Sequence, residues 1–352
     1  MLKLRRGVVA STDPLVVEVD GQERPAWADR SLIGDVEAGD EVVVNVEALD
    51  LGLGSGGFDV VHANLTRGLR RGGGEGSHVM KLNYTSLQHP VDPVERPLSA
   101  AATAPVPVLV LPLHGHLAPA VWAARQARPG LRVGYVQTVG GALPGKLSRD
   151  VAELRSRELL AGHVTAGAAY GGEGEAIGVL GAFDAAGELG WDAAVAGPGP
   201  GILGSETRYG HGGMAALDTA HAALALRMPT LVSPRLSAAD PRPRHRGLSH
   251  HTAAVLELLL APVQVPVPEV EASEWPTPEP VSAPGPEPGM LDELREACGD
   301  RHDLAVHPVD LDGYAASGLP GRTMGRGVGE DPLFFAAALA AGGALASAAE
   351  RT

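Results

Sequence analysis

The apolar positions of the first 65 residues fall in short runs bounded by turn residues: Gly7 to Ser11, Leu15 to Val19, Glu41 to Val46 and Phe58 to Ala63. Each is rich in valine, and such runs read as strands. Gly34 to Glu41 reads as a turn leading into the third of them. About five short strands in this length predict a small, barrel-like β domain over residues 1–66. A connecting segment, 67–104, follows. It opens on a polar, Gly-rich stretch from Arg67 to Ser77.

From Val106 the rhythm changes to alternating strands and helices. Strands are predicted at Val106–Leu111, Leu131–Gln137, His163–Ala168, Asp192–Ala196, Thr230–Ser233 and Val263–Val267. Between them lie helices at Pro119–Ala127, Ser148–Leu160, Glu173–Ala186, Met214–Arg227 and Ser249–Leu260. That alternation predicts an α/β domain over 105–268, with a doubly wound, mainly parallel sheet covered on both faces. A Pro-rich linker is expected over 269–289. The 290–352 segment resumes with a helix at Leu291–Ala297, a strand at Asp303–His307 and a final helix. Asp331 suits the N-cap of that helix and Pro332 its first position. Its run from Leu333 to Ala349 is uncharged and dominated by alanine and glycine, so it should dock on the sheet rather than span a membrane.

Composition narrows the function classes. The net charge of −14 gives no global footprint for nucleic acid or an anionic membrane, so neither is expected as a partner. The single cysteine, Cys298, excludes an internal disulfide and any multi-cysteine metal site. It reads as a buried thiol on a helix. No signal peptide is recognisable, and a cytoplasmic location is expected. Basic residues are nearly all arginine, a bias that fits a GC-rich bacterial genome, so a single arginine carries no functional meaning.

Ligands of open parallel sheets bind at the carboxyl ends of the strands. Five loops there deserve inspection. In the first, His114 and His116 stand two apart and could hold a divalent metal, or could contact substrate or simply hydrogen-bond. The second, Gly140-Gly141 through Gly145-Lys146-Leu147-Ser148, fits G-x-x-x-x-G-K between a strand and a helix. Leu147 stands where the magnesium-binding hydroxyl belongs, so a glycine-lined helix start beside a ligand is favoured over a nucleotide loop. In the third, Gly171 and Gly172 would let backbone approach a ligand. Glu173 would accept from hydroxyls or act as a base, or merely favour a helix start.

The fourth loop carries Gly197, Gly199, Gly201 and Gly204. The helix begins too late for a dinucleotide fingerprint, and backbone amides turned toward an anion are the more general reading. His211, Asp218 and His221 follow and read as polar positions near a helix. The fifth, Arg235 to Thr252, gathers Arg235, Arg242, Arg244, Arg246, His245, His250, His251 and Asp240 in an acidic chain. Ser249 reads as an N-cap, which puts His250 and His251 in a first helical turn that favours neutral imidazole and bound anions. His245, His250, His251 and Asp240 are the candidate acid–base groups, and Arg242 and Arg244 the candidate clamps for phosphate or carboxylate. The alternative is a solvated basic loop. Gly318 to Gly327 is a second Gly- and Arg-rich loop, placed to cover the same site or to move freely. Gly52 to Gly57 fits G-x-G-x-x-G but precedes a strand, and reads as a tight turn.

Several of these segments together resemble an uncharacterised bacterial family known as domain of unknown function 3866. They are Leu51 to Gly57, Met80 to Thr85, Gly140 to Pro144, Gly197-Pro198-Gly199, Ser249-His250-His251-Thr252 and Thr323-Met324-Gly325-Arg326. The resemblance runs nearly end to end. It implies an intracellular protein and supplies no catalytic residue or cofactor.

Three functions compete. One is an enzyme binding an anionic small molecule at the Gly-rich strand ends. A second is a metal-dependent hydrolase using His114, His116 and later His or Asp ligands. The third is a non-enzymatic scaffold, with the final helix as a candidate homodimer interface.

Overall fold

The computed structural model describes residues 2–53, 56–70, 76–100, 104–269 and 290–351. Gly54 and Ser55 of the Gly-rich turn, residues 71–75, and the Pro-rich linker from 270 to 289 lie outside the described residues. The chain divides into two compact units, Met1–Asp92 and Pro93–Thr352.

The first unit is a closed barrel of β1 (Leu4–Thr12), β2 (Leu15–Val19), β3 (Gln22–Trp27), β4 (Glu41–Asn45) and β5 (Asp59–Asn64). Around the barrel the order is β1-β2-β3-β5-β4, and β4 pairs back to β1. Only the β3–β5 pairing is parallel. Alternation places Val9, Val17, Val19, Val42, Val44 and Val61 inside. β3 escaped recognition because its sequence is polar and contains Pro25, which fits a strand with few inward side chains. Polar ties close the wall: Arg24 pairs with Asp59 and Asp50. Buried Asp40 accepts from Arg67, Asn64 and the Glu37 amide.

The second unit is built on eight strands, all parallel. They are β6 (Val108–Val110), β7 (Val133–Thr138), β8 (Gly162–Ala166), β9 (Gly174–Ala176), β10 (Ala193–Pro198), β11 (Thr230–Val232), β12 (Gln264–Pro268) and β13 (Asp303–His307). Their spatial order is β9-β8-β7-β10-β6-β11-β12-β13. The central strand β6 is buried on both faces, as near-continuous apolar strands of covered parallel sheets are. Val108 and Val110 join one core layer. It includes Phe183 of α3 (Val179–Ala185), Ala220 of α4 (Ala215–Ala225), Val255 of α5 (His250–Leu258) and Leu294 of α6 (Met290–Cys298). Leu109 and Leu111 join the opposite layer with α1 (Leu117–Ala127), α2 (Arg149–Ser156), Tyr314 of α7 (Leu311–Ala316) and most of α8 (Pro332–Ala349).

The predicted fold class is therefore present: a small barrel and an α/β unit with a parallel sheet. The predicted helix from Glu173 instead opens with the edge strand β9. Glu175 explains this, because its carboxylate accepts from the Gly171 amide at 2.6 Å and from Thr165 Oγ1 at 2.7 Å, holding the segment extended against β8. The helix α7 had no clear sequence signal. Helix α8 is apolar and long enough to cross a membrane, yet it is largely buried inside the fold. It packs against α1 and β12. Asp331 precedes it as expected but does not cap it. Its carboxylate accepts from Ser237 Oγ at 2.6 Å and Arg326 Nε at 3.1 Å.

Candidate functional site

After β6 the chain crosses β10 to reach β7, and after β10 it crosses β6 to reach β11. Loops leaving β6 and β10 therefore part at the carboxyl edge, the position where open parallel sheets form a crevice. A cleft of about 570 Å³ lies there, a size suited to a small molecule. Its walls are Leu113–Gly115 after β6, Pro200–Ser205 after β10, residues of the Arg235–His251 segment after β11, Asp150, and Arg322–Met324.

Four guanidinium groups line this cleft, from Arg235, Arg242, Arg244 and Arg322, against one acidic lining residue, Asp150. Arg235 and Arg242 are balanced from behind, while Arg244 pairs with exposed Glu206 and Arg322 with exposed Glu330. Asp240, fully buried, accepts from Arg242 Nε and Nη2 at 2.9 Å, Arg235 Nη2 at 3.1 Å and Arg326 Nη2 at 3.3 Å. Burial pushes its carboxyl up, but hydrogen bonds and charge from Arg242 and Arg235 outweigh that and hold it well below the ordinary carboxylate range. Asp240 is thus an anionic anchor for the guanidinium groups around it. Burial pulls the Arg235 guanidinium down to about 10, still cationic at pH 7. Its Nε is buried with no hydrogen-bond partner. The hairpin Arg322–Thr323/Arg326–Gly327 does close over this site. Met324 at its tip has φ +46° and offers its thioether to Arg235 and Arg242. A left-handed backbone at a non-glycine residue is a local cost that the surroundings must sustain.

Beside the arginines stands a cluster of imidazoles. Ser249 caps α5, accepting from the His251 amide, and its Oγ lies 2.8 Å from His245 Nδ1. His250 and His251 start the helix, and His211 arrives from the loop after β10. The His211 and His251 rings stack at 3.6 Å, and His250 lies 4.4 Å from His251 edge-on. Burial lowers all four pKa values, with further lowering from neighbouring imidazoles or arginines: His245 falls to about 3 and His251 to about 2. These rings are neutral at pH 7, so each keeps one lone-pair nitrogen.

His114 faces the same cleft but is tied on both sides, Nδ1 to the Pro198 carbonyl at 3.1 Å and Nε2 to Ser148 Oγ at 2.7 Å. His116 points the other way, into the core, with Nδ1 2.9 Å from Ser233 Oγ and its ring against Phe334. The two therefore share no metal position. Ser148 caps α2 and its neighbour Lys146 is exposed, so the second loop forms a helix start and no phosphate cradle.

Most of the glycines serve backbone packing. A Cβ on Gly141 would lie 2.1 Å from the Gly199 carbonyl, and one on Gly199 2.3 Å from the Ala142 carbonyl. Gly140 meets Gly212 in the same way, and Gly197 meets Leu111. The loops after β7 and β10 thus interlock main chain to main chain. Of the expected glycines, Gly201 and Gly204 line the cleft, Gly201 with φ +74° and open space beside it. Gly171, Gly172 and Glu173 lie away from it. Gly172 packs on the β8 backbone, and Glu173 pairs with Arg155 at 2.6 Å. Of the residues the sequence proposed, Arg235, Arg242, Arg244, His245, His251, Gly201 and His114 meet in one hollow. His211 joins the imidazoles although it read only as a polar position near a helix. Ser148, Asp331 and Met324 drew no attention for their present roles.

Such features define a two-unit α/β protein with an arginine- and histidine-walled cleft at the carboxyl edge of a parallel sheet. The chain belongs to the family described as Protein of unknown function (DUF3866), whose model matches residues 25–342. No curated protein and no solved structure matches it.

Proposed function

We propose that this protein is a cytoplasmic bacterial enzyme that binds an anionic small molecule, bearing phosphate or carboxylate groups, in the Rossmann-like crevice at the sheet's carboxyl edge. The observation that carries this reading is the division of charge around the cleft. Arg235, Arg242, Arg244 and Arg322 line it; the buried carboxylate of Asp240 holds Arg235 and Arg242 from behind, while Arg244 and Arg322 pair only with the exposed carboxylates of Glu206 and Glu330. Planar guanidinium groups bind such anions bidentately, and a preorganised pair loses little on binding. His245 lines the cleft with Nδ1 held near Ser249, and among the described residues its Nε2 has no hydrogen-bond partner. That nitrogen is the candidate proton acceptor once an anion raises its basicity.

Calorimetry with pyrophosphate and with citrate tests the proposal. Binding of at least one, weakened by salt and weakened about tenfold by Arg244→Ala, is the expected result. No heat with either ligand, together with silence from Arg242→Ala and Arg244→Ala in any binding assay, would overturn it.

A further inference from the structure

We propose that His211, His250 and His251 together bind one divalent transition-metal ion of the zinc class. A nitrogen of each ring lies within 4.8 Å of the other two. His211 comes from the loop after β10, and His250 and His251 from the first turn of α5, so their meeting is a product of the fold and not of a local sequence pattern.

Three further observations point to a ligand. First, His211 Nε2 lies 3.0 Å from the Arg208 carbonyl and can only donate to it. This fixes the tautomer and leaves Nδ1 as the lone-pair nitrogen. A ring N–H held by a backbone carbonyl is the usual outer support of a metal-binding histidine. Second, His211 Nδ1 and His250 Nε2 are both buried with no hydrogen-bond partner. Leaving a buried polar atom unpaired costs about 1–3 kcal/mol, and two so close together call for an occupant. Third, a Cβ added to Gly213 would lie 3.0 Å from His211 Nδ1 and 3.1 Å from His251 Nδ1. Gly213 does not adopt a left-handed backbone, so no turn requires glycine there. A side chain there would crowd both nitrogens.

Zinc–imidazole bonds of about 2.0–2.1 Å require the nitrogens to draw together, by rotation about the broad terminal torsion of histidine. Three imidazoles leave a tetrahedral ion one position for water or ligand. His251 also lines the arginine-walled cleft, which puts the ion beside it. The four cleft arginines disfavour a lone cation, and imidazole donors of the borderline class bind tightly enough to tolerate this where calcium or magnesium would not.

The test uses the full chain produced without an affinity tag, stripped by chelator and titrated with Co²⁺ alone, then with Zn²⁺ in competition. No anion is added, so the result is independent of the proposed anion binding. One Co²⁺ per chain with visible d–d bands of a four-coordinate nitrogen-rich site is expected, displaced by Zn²⁺. His211→Gln, His250→Gln and His251→Gln should each weaken binding at least about tenfold. Gly213→Ala should do the same without removing a ligand, with its circular dichroism unchanged. His114→Gln should leave the stoichiometry intact. Only the hexaaquo spectrum of cobalt, or binding that survives the three histidine variants and disappears in His114→Gln, would overturn the proposal.

Discussion

Asp240 and Arg235 form an ion pair at 3.1 Å with almost no solvent on either side chain. Around that pair the arginine wall is assembled, because Arg242 and Arg326 reach the same carboxylate. Asp240→Asn would take the carboxylate partner from Arg235 and Arg242 and leave Arg326 with Asp331 alone. A loss of roughly 3–5 kcal/mol is expected, since removing one partner strands buried charge. Urea denaturation of the two proteins at neutral pH measures it. A midpoint within error of wild type would show that the pair does not organise the wall.

The same residue sets the acid side of the stability profile. Its folded-state pKa is depressed below the ordinary carboxylate value. Its stabilisation is therefore present above the unfolded value of about 3.9 and is lost as pH falls through the folded value. Between pH 7 and pH 3, wild type should lose more stability than Asp240→Asn. Parallel curves would refute this.

Interlocked glycines make a further prediction. At Gly141 the obstacle to a side chain is the Gly199 carbonyl, which cannot swing aside like a flexible side chain. Gly141→Ala should cost at least about 1–3 kcal/mol. Gly130→Ala, where nothing lies within 4 Å, is the control and should change stability by less than about 0.5 kcal/mol. Equal melting temperatures for the two variants would contradict the interlock.

Cys298 offers a chemical readout. Burial alone pushes its thiol up to about 11, so little thiolate exists at pH 8. Reaction with a disulfide reagent should be slow in buffer and fast in denaturing urea. Rapid stoichiometric labelling of the native chain would place the thiol in contact with solvent.

If cation and anion share one hollow, each should favour the other. A bound anion offsets the arginine charge that opposes a cation, and linkage makes the effect reciprocal. Saturating sulfate should tighten Co²⁺ binding by about 5–150-fold, the usual span of such couplings. Identical cobalt affinities with and without sulfate would separate the two sites energetically.

Much of this architecture was legible in the chain. Short valine-rich runs bounded by turn residues announced the barrel, and the change of rhythm after Val106 announced the parallel sheet. The cluster at Arg235–Thr252 stood out because it is basic in an acidic protein. Ser249 showed its capping role by position alone, directly before a helical run. Less visible were contacts between distant segments. Nothing local to His211 indicates that its ring stacks on His251. Asp331 reads as a cap because aspartate before proline usually is one, while its carboxylate is claimed by Ser237 and Arg326 from across the fold. The glycines misled for a related reason. A residue lacking a side chain admits a phosphate or another backbone equally well, and only coordinates tell which one has come close.

The position of β6 has a kinetic consequence. Its two neighbours, β10 and β11, are both far along the chain, and no strand adjacent in sequence pairs with it. The centre of the sheet cannot be nucleated by a hairpin or a single crossover, and loop closure must come before its contacts give any return. Refolding of residues 93–352 should accordingly be slow and all at once, and chaperone dependence would follow from the long interval during which Val108, Leu109 and Val110 wait uncovered.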